Sequence, residues 1–161
     1  MAASVNNYTI GNGVASISAD GMSWTDLGNC SKFEFTPNIE KLDHFSSRSG
    51  VKTKDLTVVL SKSGTLSLTL DEITVENLML AVFGAAGTSG VDIEILAADT
   101  IVKHVKIVGD NDVGNSYTWT FPSVSFIPGQ AFNVISEEWQ TIDLEGEVAK
   151  SGGSFGTIVA P

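Results

Sequence analysis

Polar and apolar residues alternate from Thr65 to Leu70, with Leu66, Leu68 and Leu70 on one face and Thr65, Ser67 and Thr69 on the other, the period of a half-buried strand. Within a few residues the period changes to that of a helix. Val75, Leu78, Met79, Val82 and Phe83 fall on one stripe, Thr74 is placed to act as N-cap, Glu76 and Asn77 occupy the first turn, and Gly84 is placed to end the helix. Leu80 and Ala81 make the opposite side apolar as well, so the helix requires cover on two sides. A chain otherwise rich in strand signals has little else to offer there, and the pattern points to assembly.

Strands are predicted over Val14 to Ser18 and Trp24 to Phe35, flanking the turn Ala19-Asp20-Gly21, with an extended continuation from Ile39 to Phe45 after Pro37. Residues 46–54 carry Arg48, Lys52 and Lys54, contain no acid, and read as a polar loop. Leu56 to Leu60 and Thr65 to Leu70 then read as a hairpin turning at Lys62-Ser63-Gly64. After the helix, strands are predicted at 91–96, Ile101 to Val108 and Ser116 to Ile127, the last edge-placed or bulged because of Pro122. From Glu137 to Val148 the alternation puts Glu137, Trp139, Thr141, Asp143, Glu145 and Glu147 on one face and Ile142, Leu144 and Val148 on the other. That acidic face is either the solvated outside of a sheet or the wall of a wet, negative channel.

No break in composition marks a second domain, so one domain over residues 1–161 is expected, with loose ends at about 1–12 and, rich in Gly and Ser, about 151–161. At 42% hydrophobic and 17% charged residues the chain falls among globular proteins. Its formal net charge is −10, and residues 32–62 are the one part with a basic surplus, six basic against four acidic residues. Such a chain repels phosphate polymers at long range, which excludes high-affinity nucleic-acid binding. Cys30 is the single cysteine, so no intramolecular disulfide or thiolate cluster forms, and an intracellular protein is expected. The N-terminus lacks the basic and apolar regions of a signal peptide, and no window approaches the roughly 18 apolar residues of a membrane span.

Catalytic patterns are missing from the sequence. His44 and His104 lie far apart in the chain, Asp110-Asn-Asp-Val-Gly-Asn115 departs from a calcium loop at its ligand positions, and the adjacent carboxylates Asp71-Glu72 and Glu137-Glu138 point apart on a strand. Neither an enzyme nor a cofactor or metal site is expected.

The ordered blocks Trp24-Thr-Asp-Leu-Gly28, Phe33-Glu-Phe-Thr-Pro-Asn-Ile-Glu40, Asp43-His-Phe-Ser-Ser-Arg-Ser-Gly50, Thr65 to Leu78 and Phe83-Gly84 resemble the tail tube (major tail) proteins of long-tailed, siphovirus-type bacteriophages. The resemblance covers about residues 20–85. It implies a mainly β subunit, a β-sandwich or half-barrel with one flanking short helix and a long polar loop. Six subunits would close into a ring, and rings would stack into a tube that conducts DNA in the virion tail after assembly in the host cytoplasm. Partners implied are the chain itself and tail proteins such as tape measure, tail tip and terminator. In these terms Leu80 and Ala81 would face the neighbouring subunit, Arg48, Lys52 and Lys54 would reach the next ring, and Glu137, Asp143, Glu145 and Glu147 would line a phosphate-repelling lumen. Two alternatives are a tube component of type VI secretion kind and a surface- or glycan-binding β-sandwich presenting Trp24, Trp119 and Trp139 on one face.

Overall fold

A computed structural model describes residues 5–48, 50–89, 92–128 and 131–161, apart from the side chain of Asn6. The chain is mainly β. Strands β1 (Gly13–Ser18), β2 (Thr25–Asp26), β3 (Cys30–Ser46) and β4 (Thr53–Leu70) precede helix α1 (Val75–Ala81), and β5 (Ala85–Ala86), β6 (Ile93–Glu94), β7 (Ile101–Gly109), β8 (Thr118–Ile127), β9 (Ile142–Val148) and β10 (Thr157–Val159) follow it. All pairings are antiparallel. The main sheet runs β2-β1-β7-β8-β9-β4-β3, with β10 beside the first half of β8, while β5 and β6 pair separately.

The sheet curls over its own core as a half-barrel. Leu66, Leu68 and Leu70 of β4, Ile142, Leu144 and Val148 of β9, Val124 and Phe126 of β8, and Val105 of β7 point inward and are buried. Phe35 of the edge strand β3 reaches across two intervening strands to Phe121 of β8, with ring centroids 5.2 Å apart, so the edge and the middle of the sheet share one aromatic cluster. Pro122 lies where β8 slips register against β7 between the pairs Lys103↔Val124 and Val105↔Phe121, which is the bulge that proline imposes on a central strand.

Four sequence expectations change. The expected turn at Lys62-Ser63-Gly64 is the middle of β4, which runs unbroken for 18 residues. The hairpin is instead β3 against β4, closing between Ser46 and Thr53. The expected strand from Trp24 to Phe35 breaks after Asp26, whose carboxylate accepts the Gly28 amide at 2.9 Å while Gly28 adopts φ 80°. Of the segment 137–148 only Ile142–Val148 is strand. The first residue of the strand expected at 91–96 lies outside the described residues, and Ile93–Glu94 is what pairs.

The helix starts as expected, with the Thr74 hydroxyl accepting the Asn77 amide at 3.2 Å. Its end differs. Phe83, not Gly84, takes the left-handed conformation with φ 52°, and the Gly84 amide bonds back to the Met79 carbonyl at 2.8 Å. Its covered line is also different. Asn77 is 1% and Leu80 is 5% exposed, and Ala81 packs on the same core, so the chain itself covers the side on which Leu80 and Ala81 were expected to meet a neighbour. Leu80 therefore lies inside its own subunit.

Candidate assembly surface

The β3–β4 hairpin outgrows the body of the protein. β9 pairs with β4 only from Gly64 to Leu70, so residues 37–62 form a two-stranded ribbon with both outer edges unpaired. Ten residues of strand span roughly 33 Å. From Thr36 to Ser63 every described residue is exposed except the partly covered Ser46. Apolar side chains are not excluded from it. Leu42 faces Val58 in register and His44 faces Leu56, so Leu42, Val58 and Leu56 make an apolar patch on one face, each about half exposed. The opposite face is mixed: Val59 lies in register with Lys41 and Phe45 with Lys54, Val59 and Phe45 each about half exposed, while Asp43 accepts the Thr57 hydroxyl at 2.8 Å and pairs with Lys54 Nζ at 2.8 Å, and these contacts, Lys54 first, hold its carboxyl below the ordinary range.

Register slips at Glu40/Lys41 and His44/Phe45 add bulges, which twist the ribbon. His44 Nδ1 lies 2.6 Å from Asp55 Oδ1 at the second of them. The three basic residues expected to act together are thus divided. Lys54 belongs to β4 and is paired within the hairpin, while Arg48 and Lys52 remain at the tip.

On the convex face of the sheet, Asp143, Glu145 and Glu147 of β9 share a side, opposite Thr69, Ser67 and Thr65 of β4, and Glu147 also faces Ser125 of β8. Asp143 accepts the Thr69 hydroxyl at 2.6 Å. Glu34 of β3 continues the row, in register with Ser67, and is paired with Lys32 at 2.9 Å. The result is a hydroxyl-rich, acidic and wet wall, built because every inward residue of β9 is spent on the core. Glu137 is not part of it. It lies on the loop before β9, together with Glu138 and Trp139.

The tryptophans do not share a face. Trp119 stacks on Phe121 at 6.3 Å in the aromatic cluster, Trp24 lies under Lys106 Nζ at 4.2 Å from its ring centre, and Trp139 is 97% exposed. An open seam of about 680 Å³ separates β1 from β3, lined by polar groups such as Asn12, Asn29 and Asn111 as well as Phe33 and Trp119. Cys30 lines it, half covered, and burial raises its thiol pKa. Among the described residues no His, Cys, Asp and Glu side chains gather as a metal site, and no helix is long and apolar enough to cross a membrane.

Residues 8–103 match the family described as "Protein of unknown function UCP028589", and the chain belongs to that family. A comparison with curated proteins finds no match. Among solved structures the chain is similar to one described as "Tail of empty GTA particle computed with helical refinement, C6 symmetry", with 12% identity, 92% of this chain and 94% of that chain covered, and a TM-score of 0.49. At that distance the likeness decides nothing about how this chain assembles.

Proposed function

We propose that this protein is a structural subunit that assembles with copies of itself into a hollow tube, of the kind found in the tails of long-tailed bacteriophages. The observation that carries the reading is the ribbon 37–62: it has unpaired edges and a half-exposed apolar patch, and no layer of its own chain covers it. A two-stranded ribbon is marginal in water by itself, and exposed edges invite pairing with another chain. Selection for a lone monomer would blunt such an element, and selection for assembly would keep it. The ordered sequence blocks over residues 20–85 support the same reading, since the resemblance they carry is to tail tube proteins.

In this reading six copies close a ring, rings stack, and the acidic wall formed by Asp143, Glu145 and Glu147 lines the lumen, so DNA passes without adhering. The role is structural, with no catalysis and no cofactor. Light scattering and negative-stain electron microscopy of the purified chain over a concentration series test it. Rings or tubes are the expected result, and a strictly monomeric species at millimolar concentration would refute it.

A further inference from the structure

Trp139 is 97% exposed and Ile135 is 94% exposed, on an acidic loop that also carries Val134, Glu137 and Glu138. Single apolar residues on a surface are ordinary, but a tryptophan with two aliphatic neighbours on one short loop is a concentrated apolar surface. The loop is also braced. Gln140 Nε2 donates to the Val134 carbonyl at 2.7 Å, and the Ser136 hydroxyl donates to the Glu138 carbonyl at 2.9 Å. These bonds tie the segment bearing Ile135 to the segment bearing Trp139, so the side chains are presented with part of their ordering cost already met.

Within the assembly reading above, we infer that this loop of one copy docks on the ribbon 37–62 of a second copy, with Trp139 seated on the Leu42, Leu56 and Val58 patch. Charge selects this partner surface. Residues 32–62 hold six basic and four acidic groups, while the rest of the chain holds three basic and fifteen acidic ones. A loop bearing Glu137 and Glu138 meets a net acidic surplus over the rest of a second copy, outside β7 with its Lys103 and Lys106, and is attracted by the ribbon, where Arg48 and Lys52 stand at the tip. Chemistry agrees with charge, because three half-exposed aliphatic side chains, Leu42, Leu56 and Val58, share one face of the ribbon. The two patches differ, so the contact is heterologous: each copy offers a free loop and a free ribbon to the next, and the contact propagates. Aromatic anchors dominate such interfaces, and flanking charges set orientation and rate.

The test uses the full chain. A benzoylphenylalanine photo-crosslinker in place of Trp139, irradiated in the assembled protein, is expected to give intermolecular crosslinks that map to peptides within residues 37–62. Trp139→Ala is expected to keep the wild-type circular dichroism and melting temperature while raising the concentration needed for assembly by about tenfold or more, as loss of an interface anchor does. Reversal of Glu137 and Glu138 to Lys is expected to weaken assembly similarly, and Arg48→Glu with Lys52→Glu in the same chain to restore it. Crosslinks confined to other segments, or assembly of Trp139→Ala at the wild-type concentration, overturn the inference while leaving the tube reading in place. A wild-type chain that stays monomeric overturns both.

Discussion

Asn77 is polar, lies in the first turn of the helix and is almost fully buried. Its side-chain amide donates to the carbonyls of Leu27 and Glu72, each at 2.9 Å, tying α1 to the segment between β2 and β3. Replacement by Leu leaves both carbonyls without that donor, at a cost of about 1–3 kcal/mol. Urea denaturation of Asn77→Leu should show a lower midpoint with an unchanged m-value; an unaltered midpoint would remove Asn77 from the fold's support. Position in the first turn is legible in the sequence. Burial is not, because the Leu27 carbonyl lies 50 residues away along the chain, on a segment whose approach only the tertiary fold decides. The same reason misplaces Leu80: apolar residues on both sides of a helix do not say which side the chain itself covers.

Asp20 has a purely local role, and its turn is readable from Asp-Gly in the sequence. Its carboxylate accepts the amides of Ser23 at 3.0 Å and Met22 at 2.8 Å and the Ser18 hydroxyl at 2.9 Å, which lowers its pKa to about 2, from 3.8. A folded-state pKa below the unfolded one means stabilisation that is complete above about pH 4 and lost as the pH falls through 2. Asp20→Ala should therefore melt below wild type at pH 7, and the two melting temperatures should converge between pH 4 and 2. A gap independent of pH would show that the charge is not what matters.

At the scale of elements, the body half of β4 and strand β9 are legible because each has one face in the core and one toward solvent. Leu66, Leu68 and Leu70 alternate with Thr65, Ser67 and Thr69, and their observed burial follows that alternation. Beyond Gly64 the same strand leaves the body, water meets both faces, and the alternation disappears. Lys62-Ser63-Gly64 then has the composition of a turn while being strand, and the β3–β4 hairpin is hidden. Gly64 marks the transition. A Cβ there would lie 2.5 Å from the ring of Phe35, which covers the glycine and also packs on Phe121. Gly64→Val should thus destabilise the fold by about 1–3 kcal/mol, as overpacking does, despite the high strand propensity of valine. Chemical denaturation measures this directly. Stabilisation by valine would mean that Phe35 does not cover this point of the strand.

At the scale of the whole molecule, the acidic alternation of 137–148 is strand only from Ile142. Asp143, Glu145 and Glu147 share the outer face of β9, but the strand begins at Ile142, so Glu137 falls on the loop. Strand onset depends on where β4 stops offering partners, at Leu70 opposite Ile142, and no residue in the preceding loop signals it. In the proposed tube the three remaining carboxylates would suit a lumen for an electrostatic reason. Repeated around a ring and along a tube they would form a dense negative surface, whose repulsion of phosphate extends over a screening length of about 8 Å at physiological salt. Asp143→Lys with Glu147→Lys turns part of that surface positive. Both side chains are exposed, so the fold loses little beyond the Thr69 bond to Asp143, about 1 kcal/mol. Tubes should still form, since neither residue lies on the ribbon or on the loop bearing Trp139. DNA driven through them should be retained, and the retention should fall steeply with added salt because counterion release underlies it. Measuring DNA bound to wild-type and variant tubes across a salt series checks this. Variant tubes that hold no more DNA than wild type would place the lumen on another face of the sheet.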